Sequence, residues 1–304
     1  KCLRGEESDM RARIARSLSF HQAWEVSSPV ISTPALLGSS EEQGVLVHEW
    51  IDEAEGLGER SDENIFDETT AHACGVLLGE LHAWQPPAGA VLDKALPPMP
   101  SAEHFNILPA DAYTNASGAE LQLFSMVQRD TELLGLFSEL RRAEERSERK
   151  PVHGDVRLDQ FLGAGKEIFL VDWEEFRIGD PARDVGAFLG EVIFRALLAV
   201  FMNEGLHDSV EDGAGLRSKI LEVGAGEIES RSAFLGTFLE AYGAHHGVPG
   251  EEFRIRTVSY AGWHLLDRVI ANARRSYHLP ATMRGVAGIG RAALFAPTRY
   301  ASSF

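Results

Sequence analysis

Apolar positions along the chain fall into a few periodic runs, and their spacing predicts most of the elements. Over residues 8–25, Ile14, Leu18 and Phe20 recur among arginines and small residues, with Ser8 or Asp9 placed to cap, which predicts a helix. Two short apolar runs follow, 29–37 and 45–51, separated by the turn-formers Gly38-Ser39-Ser40, and they read as a strand pair or hairpin. Residues 66–84 carry Cys74, Leu77, Leu78 and Leu81 at helical spacing and predict a long helix. Residues 85–118 are rich in Pro, Ala, Asn and Gly and predict an irregular excursion. Helix resumes over 119–149 and closes in a charge run, 141–150, whose alternating signs suit a solvated face. Beyond residue 185 the pattern is helical almost to residue 296, and no internal repeat is visible. Strands early and helices late predict an α+β chain with a small sheet lobe and a larger helical lobe.

Composition narrows the class. At 304 residues, 44% of them apolar, the chain can bury a sizeable core in one large domain or two modest ones. Acidic side chains number 46 against 29 basic ones, a formal net charge of −17. Nonspecific nucleic-acid binding needs Lys and Arg to neutralise phosphates, so this balance argues against a nucleic-acid partner. A polycationic acceptor suits the charge, and so does plain solubility. Cys2 and Cys74 have no motif spacing; neither a disulfide framework nor a zinc site is expected, and a reducing, cytoplasmic setting is. The longest apolar run, 185–202, is interrupted by Glu191 and Arg195 and predicts a buried or amphipathic helix, with no membrane span. The chain opens with neither a signal-peptide pattern nor an initiator methionine, so it reads as a fragment or as a chain with segments outside it.

Candidate chemistry is concentrated in residues 151–188. The strand-like runs 160–162 and 167–171 flank Gly163-Ala164-Gly165-Lys166 and predict a hairpin. Such a hairpin folds the chain back and can bring Asp155 and Gln160 near Asp172. Two carboxylates and an amide suit magnesium, which takes oxygen ligands together with substrate phosphates. Phosphoryl transfer needs that metal and a second carboxylate to orient the incoming hydroxyl.

Three ordered motifs in this segment resemble the aminoglycoside phosphotransferase and choline kinase-like family. His153-Gly154-Asp155, with Gln160 five residues past the aspartate, resembles its catalytic loop, and protein kinases share that aspartate-to-amide spacing. Val171-Asp172-Trp173-Glu174 resembles the metal-binding motif, and Gly179-Asp180-Pro181-Ala182-Arg183-Asp184 the element after it. The resemblance implies a protein-kinase-like two-lobe fold. Residues 1–52 would be a partial β-rich small lobe with a hinge near 48–52, and residues 53–304 the helical lobe with the catalytic loop and metal hairpin. It implies ATP and Mg²⁺ as cofactors. Asp155 would orient or deprotonate the acceptor hydroxyl, while Asp172 and Gln160 would hold the metal. Gln160 stands where the family usually has asparagine. Asp184 and His153 would support the loop. Arg157 would face the acceptor or the transferred phosphate, or else form a surface ion pair.

The nucleotide-covering half is thinner. Lys1 reads either as the phosphate-gripping lysine at the end of a strand or as an exposed terminal lysine. The helix after it offers no clear partner glutamate, being arginine-rich in its middle. The run 45–51 resembles the strand entering the hinge, where backbone groups of His48, Glu49 and Trp50 would meet adenine; otherwise it is a buried strand. Leu81-His82 resembles the end of the family's long helix after the hinge, with His82 as a packing residue. Glu174 and Glu175 read as an exposed turn or as a second approach to metal. Gly163-Ala164-Gly165-Lys166 lacks P-loop spacing, and Gly288-Ile289-Gly290 lacks the preceding strand of a dinucleotide fingerprint.

For the acceptor, Gln160 in its run and Asp172-Trp-Glu-Glu-Phe-Arg177 resemble the peptide Ser/Thr kinases of lanthipeptide and thioamitide pathways. A precursor peptide is then the expected acceptor and a lyase a possible partner protein. The alternatives are a small-molecule acceptor, such as an aminoglycoside-like antibiotic or amino alcohol, and an inactive pseudokinase that binds a partner. The arginines at 254, 256, 268, 274, 275, 284 and 291 make the last third locally basic. They suit an acidic leader peptide, or they pair with Asp267 and its neighbours at the core edge.

Overall fold

The first helix, α1 (Glu7–Ser27), turns Ile14, Ser17, Phe20 and His21 to the interior at helical spacing, with Glu7 and Asp9 in its first turn to suit the helix dipole. The computed structural model describes residues 1–27, 30–59, 66–97, 99, 107–202, 213–247 and 249–301. They group into two compact units. One comprises Lys1–Pro97, Ser147–Asp184 and Gly236–Pro249; the other comprises Pro98–Arg146, Val185–Leu235 and Gly250–Phe304.

In the first unit, β1 (Leu36–Ser40) and β2 (Val45–His48) form an antiparallel pair. The chain start adds a third member, with Cys2 bridged to Val45 and Leu46 N donating to the Lys1 carbonyl at 2.9 Å. Leu3, Ile14 and Leu46 make a small core between this sheet and α1, with Met10, Leu18 and Leu36 at its edge. The predicted turn at Gly38-Ser39-Ser40 is instead strand. Gly44, at φ +66°, closes the turn four residues later, where a Cβ would meet the Met10 sulfur. Glu49, Trp50 and Ile51 leave the strand, and Pro29, at the start of the predicted first run, lies outside the described residues.

β3 (Glu55–Gly56) pairs with β5 (Phe161–Ala164), which pairs in turn with β6 (Glu167–Leu170). The predicted hairpin is therefore present, with Gly165 at φ +61° in its turn. β4 (Lys150–Val152) pairs with β7 (Arg177–Gly179), a ladder too short to leave a periodic signature. The helix α2 (Glu68–Ala83) starts two residues after the predicted boundary because Asp67 caps it, accepting from Thr70 N at 3.0 Å.

The second unit is helical. The predicted single helix over 119–149 is two, α4 (Gly118–Gln128) and α5 (Thr131–Arg146), after a short α3 (Ala110–Asn115). Asp130 divides them by accepting from Leu133 N at 3.0 Å, an N-cap that restarts the helix. The charge run is not wholly solvated: Glu144 is 1% exposed and pairs with Arg141 at 2.5 Å. Residues 98 and 100–106 of the predicted excursion, and 203–212 and 248 of the predicted helical stretch, lie outside the described residues.

Pro181–Met202 is α6, followed by α7 (Gly213–Glu229), α8 (Ser232–His246), α9 (Glu251–Ala273), α10 (Ala281–Phe295) and α11 (Pro297–Ala301). Gly290 belongs to a helix, not a dinucleotide turn. It lets α10 approach α9 so closely that a Cβ on it would lie 2.7 Å from the Gly262 carbonyl. Among the basic residues of this stretch, Arg291 pairs with Asp130 and Glu132, Arg268 with Asp267, and Arg274 with Glu120. Among the described residues no helix is long and apolar enough to cross a membrane.

Candidate active site

β4 ends at Val152 and delivers His153-Gly154-Asp155 into a loop held chiefly by one buried carboxylate. Asp184 is 1% exposed. Its Oδ2 accepts from His153 N at 2.6 Å and its Oδ1 from Gly154 N at 2.9 Å. His82 Nε2 also donates to it at 3.1 Å, leaving His82 Nδ1 to accept from the Tyr242 hydroxyl at 3.0 Å. Burial alone would raise the Asp184 carboxyl; the His82 hydrogen bond and charge, then His153 and the Gly154 amide, outweigh it and hold the group below the usual carboxylate range. Gly154 sits at φ +84°, and a Cβ there would lie 2.5 Å from the Glu175 carbonyl, so the loop requires glycine. The Gly179-Asp180-Pro181 sequence has a local cause as well. Asp180 Oδ1 accepts from Ala182 N at 3.1 Å, capping α6, and Pro181 takes the first helical position, where no backbone N–H is needed.

His153 is fully buried and fixes the loop to the segment that leads into Asp172. Its Nε2 faces the Val171 carbonyl at 2.8 Å and must carry the proton, which leaves Nδ1 to accept from Asp155 N at 3.4 Å. Asp172 follows in the left-handed conformation, φ 73° and ψ 59°, a rare setting that short polar residues tolerate best. The turn Trp173–Glu175 then packs on α1: Trp173 stacks on Phe20 with ring centres 3.5 Å apart and donates to Thr33 Oγ1 at 2.9 Å. Gln160 is 4% exposed, and its carbonyl accepts from Val171 N at 2.9 Å, so it borders the same turn.

Lys1 reaches this place from the sheet. Its ammonium contacts the Asp172 carboxylate and lies 2.7 Å from Glu174 Oε2. Lys1 stays partly exposed, its side chain 33% accessible, and is held at this place by the two carboxylates. Asp155 is partly exposed, with Arg157 Nη2 at 3.3 Å and the same arginine's Nε 3.4 Å from Asp159. Glu49 leaves β2 with its N–H donating to Ala35 O at 2.8 Å, and Trp50 is 84% exposed. Both border a pocket of about 310 Å³, with Pro34, Ile51 and Leu162 among its walls. The predicted residues thus separate into a pair at this pocket, Glu49 and Trp50, a group around the Asp172 turn and the loop behind it, Lys1, His153, Gln160, Asp172 and Asp184, and the pair Asp155 and Arg157 beside that loop.

The order of these motifs along the chain finds its counterpart in a family model described as a phosphotransferase enzyme family, which matches residues 6–218. The chain belongs to that family. Solved structures share the phosphotransferase's fold. A choline/ethanolamine kinase family protein from Mesorhizobium loti is 18% identical over 95% of this chain and 82% of that one, with a TM-score of 0.53. Choline kinase LicA from Streptococcus pneumoniae is 14% identical over 97% and 84%, TM-score 0.55. The amicoumacin kinase hAmiN, in complex with AMP-PNP, Ca²⁺ and Ami, is 13% identical over 92% and 77%, TM-score 0.55. At such identities they establish a kinase-like α+β fold. No curated protein sequence matches the chain.

Sequence reasoning missed the arginines of the phosphotransferase's α1. The exposed-turn reading of Glu174 and Glu175 is corrected by their contacts. Glu174, 13% exposed, pairs with Arg13 at 2.5 Å as well as with Lys1. Glu175 pairs with Arg16 at 2.8 Å and with the buried Arg177. The missing partner glutamate in the first helix was the available signal: an arginine-rich helix face implies carboxylates elsewhere. His21 and His48, with ring centres 5.2 Å apart, lie behind this region. Burial, with His48 adding to it, pushes His21 down to about 4; burial, with the Lys1 side-chain ammonium adding to it, lowers His48 against the pull of Asp172.

Proposed function

We propose that the chain transfers the γ-phosphate of ATP to an acceptor hydroxyl, using Asp155 as the residue that orients and deprotonates that hydroxyl. The observation that carries this reading is the meeting of Lys1 and Asp172 beside a loop whose conformation is fixed by Asp184. Asp155 stands on that loop, partly exposed and so open to an incoming hydroxyl. Its neighbour Arg157 offers a cation for the transferred phosphate.

A divalent cation fits the remaining donors. The Asp172 carboxylate already carries a cation, the Lys1 ammonium, and Gln160, whose backbone carbonyl meets Val171 beside the same turn, has an amide oxygen to offer. Among the described residues no group of three or more His, Cys, Asp and Glu side chains gathers to hold a metal. Nucleotide phosphates and water would complete the shell, as is usual for magnesium. Held by Asp172 and Gln160, Mg²⁺ would supply charge neutralisation at the phosphates. Lys1 grips the phosphates, the backbone of Glu49 and Trp50 meets the adenine in the pocket beside the hinge near 48–52, and His153 and Asp184 keep Asp155 in place.

For the acceptor, the motif likeness of Gln160 and of 172–177 supports a Ser or Thr of a precursor peptide, with a lyase as the partner that consumes the phosphorylated product. A small-molecule alcohol is the second reading, favoured by the fold neighbours named as choline and amicoumacin kinases. Phosphate transfer from ATP, offered Ser/Thr-rich peptides and amino alcohols in parallel, decides between them. Transfer to neither, together with no ATP binding by calorimetry, would leave a pseudokinase.

A further inference from the structure

α1 presents cations, not acids, to the Lys1 site. Its acidic residues are Glu7 and Asp9 in the first turn and Glu25 near the end, whereas Arg13 and Arg16 face the turn after Asp172. Glu174 stands between two positive charges. Its Oε2 is 2.7 Å from Lys1 Nζ, and its Oε1 is 2.5 Å from Arg13 Nη2. Arg16 Nε donates to the Glu174 carbonyl at 2.5 Å, and its Nη2 to Glu175 at 2.8 Å. The backbone and the side chain of Glu174 are therefore both fastened to α1.

Lys1 has two carboxylate partners with different fates. Asp172 is wanted by any cation that accompanies the nucleotide, and two cations on one carboxylate repel each other. Glu174 already has Arg13 on its far oxygen and, among the described residues, Lys1 alone on the near one. We propose that Glu174 is the positioning residue for Lys1, holding its ammonium over the phosphate site once Asp172 is engaged. It takes the part that a helix glutamate plays opposite the lysine in protein kinases. The usual charge order is inverted: the loop supplies the acid and α1 supplies the base that anchors it. This rests on reading Lys1 as the phosphate grip.

The test compares wild type, Lys1→Met, Glu174→Gln and the double variant. ATP binding is measured by calorimetry with and without Mg²⁺, and urea unfolding without nucleotide. Each single change is expected to weaken ATP binding about tenfold, the size of one charged hydrogen bond. The double variant should lose no more than either single, and Glu174→Asp should recover most of the affinity. Unfolding midpoints should also be non-additive. Additive losses of affinity, or a Glu174→Gln protein that binds ATP normally, would overturn the proposal. So would a Glu174→Gln defect seen only with Mg²⁺ and cured by more of it, the signature of a metal ligand. If Glu174→Gln does not fold, Arg13→Gln carries the same expectation at about threefold, and no change in that variant counts against it. A wild type that binds no ATP overturns the phosphotransferase reading itself, while the nucleotide-free unfolding cycle still reports whether Lys1 and Glu174 interact.

Discussion

Two carboxylates in the first unit do their work in opposite ways. Asp184 is buried, accepts from two backbone amides about thirty residues back, and has the His82 ring as a further partner. Glu174 is held by side chains on an element 161 residues away and by a lysine from the chain start. The first arrangement ties backbone to backbone, so it fixes a conformation. The second ties charge to charge, so it sets the position of a movable ammonium and answers to whatever other ions arrive. Rigidity belongs to the loop and adjustability to the Lys1–Glu174 side.

Asp155→Ala and Asp172→Ala should separate chemistry from architecture most sharply. Transfer is expected to fall by about 10²–10⁴ or more in each, with thermal melting little changed in Asp155→Ala and stability lowered in Asp172→Ala by the roughly 1 kcal/mol that a left-handed backbone costs alanine. A large stability loss in Asp155→Ala would mean that this residue belongs to the scaffold.

Asp184→Ala tests the rigid side. Removing the acceptor leaves two amides and a histidine without their partner in a buried place, a loss of about 3 kcal/mol or more in urea unfolding. A loss below about 1 kcal/mol would show that the loop is held by something other than this carboxylate.

The adjustable side predicts a pH effect. His21 titrates near 6.5 when unfolded and near 4 when folded. The unfolded chain therefore binds the extra proton between those values, and stability falls as pH drops from about 6.5 towards 4. Between pH 7 and pH 5 the His21 share is about 2 kcal/mol, read from unfolding midpoints, and His21→Phe should flatten that slope. His48 faces His21 and contributes in the same direction; Lys1 and Asp172 are the nearby fixed charges. The smallest effect is expected for Arg157→Ala. Its contacts with Asp155 and Asp159 are partly exposed, so stability should move by less than about 1 kcal/mol, and any larger change should appear in kcat.

The legibility of the sequence follows the same division. His153-Gly154-Asp155, Asp172 and Asp184 can be read because their constraints are local. Gly154 is required by a positive φ, Pro181 by the start of a helix, and the 163–166 turn by the strands on either side. Arg13, Arg16 and Glu174 cannot be paired from sequence, since nothing in a run of arginines says which distant carboxylates will meet it. The β4–β7 ladder escapes for another reason: three residues a side are too few for a period to show. The turn after Ser40 was misplaced because glycine and serine also sit comfortably in an exposed strand, and only the backbone angle of Gly44 decides the matter.

The two cysteines offer a clock. Cys2 is exposed, one residue from the lysine on Asp172, while Cys74 is sealed inside α2, where burial and then Asp67 push its thiol far above the ordinary range. A thiol reagent meets only Cys2 while the fold holds. A dye attached there sits beside the proposed phosphate site, and a change of its colour on adding ATP would report nucleotide arrival. A second label can be taken up only when α2 comes away from its neighbours, so the rate at which it appears times the opening of the first unit from within, one molecule at a time.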